Sequence, residues 1–172
     1  MIKLKTPQDI ELLKKSGAIL VKTLQDLARH STPGVSLLEL EDRARKIIKN
    51  AGAEPAFFGY KSTPNSDPYP AAICTSLNDM IVHGIPHDTV LKDGDMLSID
   101  IGIRYKKLIT DGALSVGIGK VSEEDKKLLK TAKKALKEGI KQVKPGGYVG
   151  DIGWAIERAV KKGGFEVAEK LT

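Results

Sequence analysis

The chain has 172 residues and a single cysteine, Cys74. No internal disulfide can form, and this usage reads as that of a protein kept in a reducing cytoplasm. No apolar run approaches the ~20 residues that span a bilayer. The opening MIKLKTPQDIELL carries no apolar signal-peptide core, so a membrane is not among the expected partners. A phosphate loop is also missing. In the run from Gly112 to Lys120, Ile118 follows Gly117 where a lysine is required, and Val121 follows Lys120 where Ser or Thr is required. What is present is 41% hydrophobic and 29% charged, enough for one sizeable core. The net charge of +6 permits contact with nucleic acid or a ribosomal surface. Much of it is lysine on helix faces, which solvation explains, and nothing points to a specific DNA target.

The most informative stretch runs from Met96 to Gly119 and reads as a β-hairpin. Leu97, Ile99, Ile101 and Ile103 alternate with Ser98, Asp100, Gly102 and Arg104, the period of a half-buried strand. The return strand covers Leu108 to Val116. With the tip at Tyr105-Lys106, Arg104 faces Lys107 and Asp100 faces Asp111 on the polar face. Two carboxylates opposed at ~5 Å repel unless something positive lies between them. A divalent metal pair is one answer, since oxygen ligands suit Mn, Co, Fe or Zn and two such ions can activate water for hydrolysis. Two aspartates on a solvated sheet face are the other.

Around the hairpin, Thr6-Pro7-Gln8-Asp9 starts a helix with the stripe Ile10, Leu13, Leu20, Leu24, Leu27, ended by Thr32-Pro33-Gly34. The spacing Ser36 to Glu39 is a capping box opening a second helix, with Leu40, Ala44, Ile47 and Ile48 inward. His30 is read as a helix C-terminal cap at most. Phe57 to Pro70 is a proline-rich loop whose aromatics, Phe57, Phe58, Tyr60 and Tyr69, suit a pocket wall. Ala71 to Thr75 and Met80 to Val82 read as short strands, the second ending at His83-Gly84-Ile85-Pro86. After the hairpin, Ser122 caps a long helix with the stripe Leu128, Leu129, Ala132, Leu136, Ile140 and Val143. Pro145-Gly146 breaks it, and a last helix runs from about Asp151 to Lys162. Pro33 to Gly52 also lies over Pro145 to Gly164 without a gap at a shift of 112, which reads as an internal repeat.

Ser76-Leu77-Asn78-Asp79, His83-Gly84-Ile85-Pro86, Leu91, Gly94-Asp95, Asp100, Asp111 and Gly119-Lys120 together resemble the type I methionine aminopeptidases. The opening Ile2-Lys3 with Lys5 to Glu11, and the Lys144-Pro145-Gly146 turn, resemble the same family. The resemblance implies an α/β (α+β) chain of the pita-bread (creatinase/aminopeptidase) fold, truncated within its second pseudo-symmetric half. It implies one metallopeptidase-like domain over residues 1–172, incomplete at the C-terminus, with repeat one at about 1–120 and the start of repeat two at about 121–172. By resemblance Asp100 and Asp111 match the first two metal ligands. His83 matches the catalytic histidine that contacts substrate, and Tyr69 and Cys74 match the wall of the methionine pocket. The implied activity is removal of the N-terminal methionine from nascent polypeptides in the cytoplasm, with two divalent ions (Co, Mn, Fe or Zn) and with the ribosome as a second partner. The family's other ligands, one histidine and two glutamates, fall in the second half, so residues 1–172 alone are expected to be weak or inactive. The loop from Tyr60 to Tyr69 is longer than in typical members. The alternatives are a non-catalytic pita-bread module that binds ribosome or peptide, and a proline-specific metallopeptidase of the same fold, which the His-Gly-Ile-Pro run disfavours.

Overall fold

The computed structural model describes residues 4–168, so Ile2 and Lys3 of the family-like opening lie outside the described residues. The chain divides into two compact units, Met1–Lys120 and Val121–Thr172. In the first, helix α1 (Pro7–His30) and helix α2 (Leu37–Asn50) start as their sequences direct. The hydroxyls of Thr6 and Ser36 accept from the backbone N–H of Asp9 and Glu39, whose carboxylates return a bond to the cap N–H. Leu20, Leu24 and Leu27 of α1 are buried, whereas Ile10, expected in the same stripe, is exposed. At the end of α1 the His30 ring sits 2.9 Å from the Asp26 carbonyl.

Four strands form one antiparallel sheet: β1 (Glu54–Pro55), β2 (Ile73–Leu77), β3 (Met96–Tyr105) and β4 (Leu108–Gly117). β3 is its centre. Along one edge it pairs with the whole of β4; along the other β2 and β1 follow each other in tandem, Ile73 opposite Ile101 and Pro55 opposite Ile103. Leu97, Ile99, Ile101 and Ile103 are fully buried in the core with the inward residues of α1 and α2. The other face carries Asp100, Gly102, Asp111 and Cys74.

The hairpin register differs from the expected one. Its tip is Lys106-Lys107, so Tyr105 pairs with Leu108, Gly102 with Asp111, and Asp100 with Ala113. Asp100 does not face Asp111 directly. Both lysines adopt left-handed backbone angles, φ 49° and 71°, as the tight two-residue turn between twisted strands demands. The shift is by two residues, so it keeps both aspartates on one face, as diagonal rather than direct neighbours. The short strand expected over Met80–Val82 is not formed; that segment is irregular and exposed. His83 follows with φ 61°, which ends any extended run.

An ion pair ties α1 to α2. Arg43 Nε donates to Asp26 Oδ1, and Arg43 Nη2 reaches Oδ2 at 3.3 Å. These bonds, opposed by desolvation and helped by the guanidinium charge, hold the Asp26 carboxyl below its ordinary range. A carboxyl lowered by folding adds stability above its unfolded pKa, and that stability drains away as pH falls through the folded value. Asp26→Asn is therefore expected to lower unfolding stability by ~1 kcal/mol at pH 7, the scale of a partly screened pair. The deficit should close only once pH falls below the lowered folded value, where the carboxyl is neutral in both states. Denaturant titrations at pH 7 and at a pH acid enough to protonate the folded carboxyl check this, and an equal deficit at both would rule the ion pair out as its source.

The second unit is a helix pair, α3 (Glu123–Ile140) and α4 (Val149–Lys162). α4 and α2 coincide residue for residue at the shift of 112, Leu37 with Val149 and Asn50 with Lys162. The leucine stripe read from the sequence is not the face α3 gives to α4. Thr131, Ala135 and Gly139 are buried with Ala155 and Ala159, while Leu136 and Ile140 are each 59% exposed and Val143 is 68% exposed. Small residues win because they let the helices approach. A Cβ on Gly139 would come within 2.8 Å of Ile156. No helix among the described residues is long and apolar enough to cross a membrane.

Candidate functional site

The site follows from the tandem placing of β1 and β2. Ala56 N–H bonds to the Gly102 carbonyl at 2.8 Å, and β2 begins at Ile73 opposite Ile101. The intervening residues leave and rejoin β3 at adjacent positions, so the loop stands out from the sheet as an Ω-shaped strap. Gly102 makes room for it: a Cβ there would lie 2.8 Å from Phe57 Cε1. Two groups on α2 fasten the strap. The buried Glu41 carboxylate accepts from the N–H of Ala72 (2.7 Å) and Ile73 (3.1 Å). Arg45, paired with Glu41 at 2.6 Å, donates to the Pro70 carbonyl and lies 4.4 Å over the Phe58 ring. Within the strap Phe57 and Tyr69 meet edge to face at 6.4 Å.

Between the strap and the aspartate face of the sheet lies a cavity of about 580 Å³. Its lining brings together all five residues singled out in the sequence: Asp100, Asp111, His83, Tyr69 and Cys74. Phe57 and Tyr60 join them, as the aromatic loop suggested; Phe58 stays outside under Arg45. Sequence reasoning missed Ser62, Asp67 and Ile85, also on the lining, and the Glu41–Arg45 fastening. The i, i+4 spacing of Glu41 and Arg45 was visible, but their tertiary partners were not.

Asp100 is half-buried, and its Oδ1 is fully buried with no hydrogen-bond partner among the described residues. Burial first, and the Asp111 charge second, push its carboxyl above the usual range; the Ile101 N–H and His83 pull weakly the other way. Burial raises Asp111 too. Cys74 stands opposite Asp100 on β2, and burial pushes its thiol up. The Tyr69 hydroxyl is pushed up by burial and by Cys74, so it remains a donor, reaching the Ile73 carbonyl at 3.1 Å and the Gly84 carbonyl at 3.2 Å. That hydroxyl links the strap to the segment bearing His83.

An orphaned buried carboxylate oxygen beside a second carboxylate fits a divalent cation, and oxygen donors suit the borderline-hard metals. Among the described residues no group of three or more His, Cys, Asp or Glu side chains gathers that could hold a metal ion. Asp100 and Asp111 by themselves offer two carboxylates, fewer donors than such an ion takes.

The chain is 38% identical over 170 residues to methionine aminopeptidase 1 of Bacillus subtilis, covering 99% of this chain and 66% of that protein. It is 43% identical over 166 residues to a methionine aminopeptidase of Aquifex aeolicus, covering 96% and 64%. The crystal structure of a methionine aminopeptidase from Thermotoga maritima superposes with a TM-score of 0.91 at 34% identity, over 97% of this chain and 65% of that one. The chain therefore spans slightly less than two-thirds of the length of these relatives. The prolidase of Pyrococcus furiosus, at 20% identity and a TM-score of 0.79, shares the fold. The expected pita-bread architecture is borne out by these superpositions. Residues 11–172 match the model of metallopeptidase family M24, and by that match the chain belongs to this family.

Proposed function

We propose that this chain contributes the substrate pocket and two metal ligands to removal of the N-terminal methionine from polypeptides. The observation that carries the reading is the unpartnered, buried Asp100 Oδ1 with Asp111 on the same sheet face, opening into a cavity with His83. Asp100 and Asp111 would hold the metal, with two divalent ions (Co, Mn, Fe or Zn) as the proposed complement. Bound there, such ions supply Lewis-acid polarisation of the first peptide carbonyl and activation of water. The chain's own residues do the rest. His83 stands at the cavity wall, where an imidazole can exchange a hydrogen bond or proton with the scissile amide. Cys74 and Tyr69 give an apolar thiol and a ring face against which a thioether packs favourably. Release of an N-terminal residue requires a free N-terminal amine, so a blocked N-terminus is expected to be refused.

The relatives' names support methionine as the first residue. The two units are read as successive repeats, the first carrying the hairpin ligands. Nascent chains are the proposed substrates, with the ribosome as the setting and the cytoplasm as the location. Residues 1–172 alone are expected to release no methionine from a Met-Ala-Ser peptide with Co or Mn present, because two carboxylates under-coordinate the metal. Joined to the C-terminal part of a related methionine aminopeptidase, they should release methionine and leave an Ala-Pro dipeptide intact. Cleavage of Ala-Pro with Met-Ala-Ser untouched would favour the proline-specific reading.

A further inference from the structure

The strap between Tyr60 and Tyr69 carries a group that the proposed chemistry does not use. Gly59 N–H bonds to the Tyr69 carbonyl at 2.9 Å, and Tyr69 N–H bonds to the Tyr60 carbonyl at 2.8 Å, so the excursion is closed at its base by main-chain pairs. Its tip is knit by Ser66, whose N–H bonds to the Thr63 carbonyl at 3.1 Å and whose hydroxyl accepts from Thr63 N–H at 3.1 Å. Pro64 and Pro68 stiffen it, and each restricts the residue before it to extended backbone. Asp67 stands before Pro68 on this stiffened frame. It lines the cavity from an exposed position, and its carboxylate makes no hydrogen bond or ion pair among the described residues. Among the described residues no lysine or arginine lines the same cavity. With Asp100 and Asp111 committed to cations, Asp67 is the acid left to face the substrate.

The cavity's volume matches the room a drug-sized ligand takes, more than one side chain requires. On the proposed reading the first residue sits at the sheet floor beside Asp100, and the strap that bears Asp67 borders the space left for later residues. We infer that Asp67 is a specificity-determining residue that selects peptides with a basic side chain just after the first two residues. This rests on the proposed methionine-first reading, since it uses the same cavity and polarity of entry. A carboxylate on a preorganised frame gives up little side-chain entropy on pairing, and an exposed pair of this kind discriminates modestly.

The test is an NMR titration of the ¹⁵N-labelled chain, with excess Zn present to occupy Asp100 and Asp111, using Met-Ala-Lys-Ser and Met-Ala-Glu-Ser peptides and an N-acetylated Met-Ala-Lys-Ser control. The lysine peptide should bind about 3–5-fold more tightly than the glutamate peptide at low salt. The preference should shrink in 0.5 M salt as the charges are screened. Asp67→Asn should abolish it, and Asp67→Lys should reverse it. Equal affinities for the two free peptides in the unaltered chain, or a preference that survives Asp67→Asn, would overturn the role of Asp67 and leave the methionine-first reading standing. Absence of binding by either free peptide, or equal binding of the acetylated one, would overturn that reading and the inference with it.

Discussion

Asp100→Asn and Asp111→Asn, each in the chain completed with the C-terminal part of a related methionine aminopeptidase, are expected to abolish methionine release. Loss of a group that merely supports a metal ligand costs ~10–100-fold; removal of a ligand oxygen's charge should exceed that and take activity below detection. The same change should act in the opposite direction on stability. In the absence of metal, Asp100 is a desolvated carboxylate with a second carboxylate diagonally across the hairpin and one oxygen without a hydrogen-bond partner among the described residues. That arrangement is unfavourable for the fold, because burial without a partner penalises charge. Asp100→Asn should therefore raise the metal-free melting temperature of residues 1–172 by ~2–4 °C, the scale of about 1 kcal/mol in a chain this size. A side chain kept for structure would lower both activity and stability. Metal-dependent turnover surviving in both variants would remove Asp100 and Asp111 from the ligand set, and a lower melting temperature would show that Asp100 is held by contacts other than a cation.

The two aspartates show how far a sequence carries this kind of inference. Strand alternation placed them on one face, and the face survived an error in register because the error was even. A slip of one residue would have turned Asp111 to the core side. The register itself was not legible. The tip Arg104-Tyr105-Lys106-Lys107 contains no glycine or asparagine, yet Lys106 and Lys107 both take left-handed angles, a choice imposed by strand twist and core burial rather than by the turn residues. Helix starts were legible because capping is local: Thr6, Ser36 and Ser122 each bond within three residues. The packing face of α3 was not, since the leucine pattern marks where apolar surface lies and not what covers it. In the cavity, His83, Tyr69 and Cys74 stood out through family resemblance. Asp67 and Ser62 lie on a strap whose path depends on β1 and β2 sharing one edge of β3, a tertiary fact that no local pattern encodes.

Between Thr75 and Gly84 main chain runs hard against main chain, and Gly84→Ala is expected to damage the site more than its size suggests. Gly84 runs against the outer edge of β2. Thr75 N–H bonds to its carbonyl at 2.7 Å, and Gly84 N–H bonds to the Ser76 hydroxyl at 3.2 Å. A Cβ at Gly84 would lie 2.2 Å from the Thr75 carbonyl oxygen, a main-chain atom that cannot swing aside. Ordinary contact begins at 3.4 Å, so the segment must retreat by the difference, 1.2 Å. His83 is the adjacent residue, and its φ of 61° is a conformation held only while its surroundings insist on it. Retreat of Gly84 loosens both main-chain anchors and frees His83 to leave that conformation. The stability loss should be ~1–3 kcal/mol, as for other overpacked positions. In the completed enzyme kcat should fall about 100-fold, the effect of displacing a reacting group by ~1 Å, with KM changed far less. Gly52→Ala is the matched control. Its φ of 67° makes alanine strained, but nothing lies within 4 Å of the new methyl. That variant should lose ~1 kcal/mol of stability and keep its kcat. Equal kcat for the Gly84→Ala variant and the unaltered enzyme would show that the position of His83 does not limit the reaction.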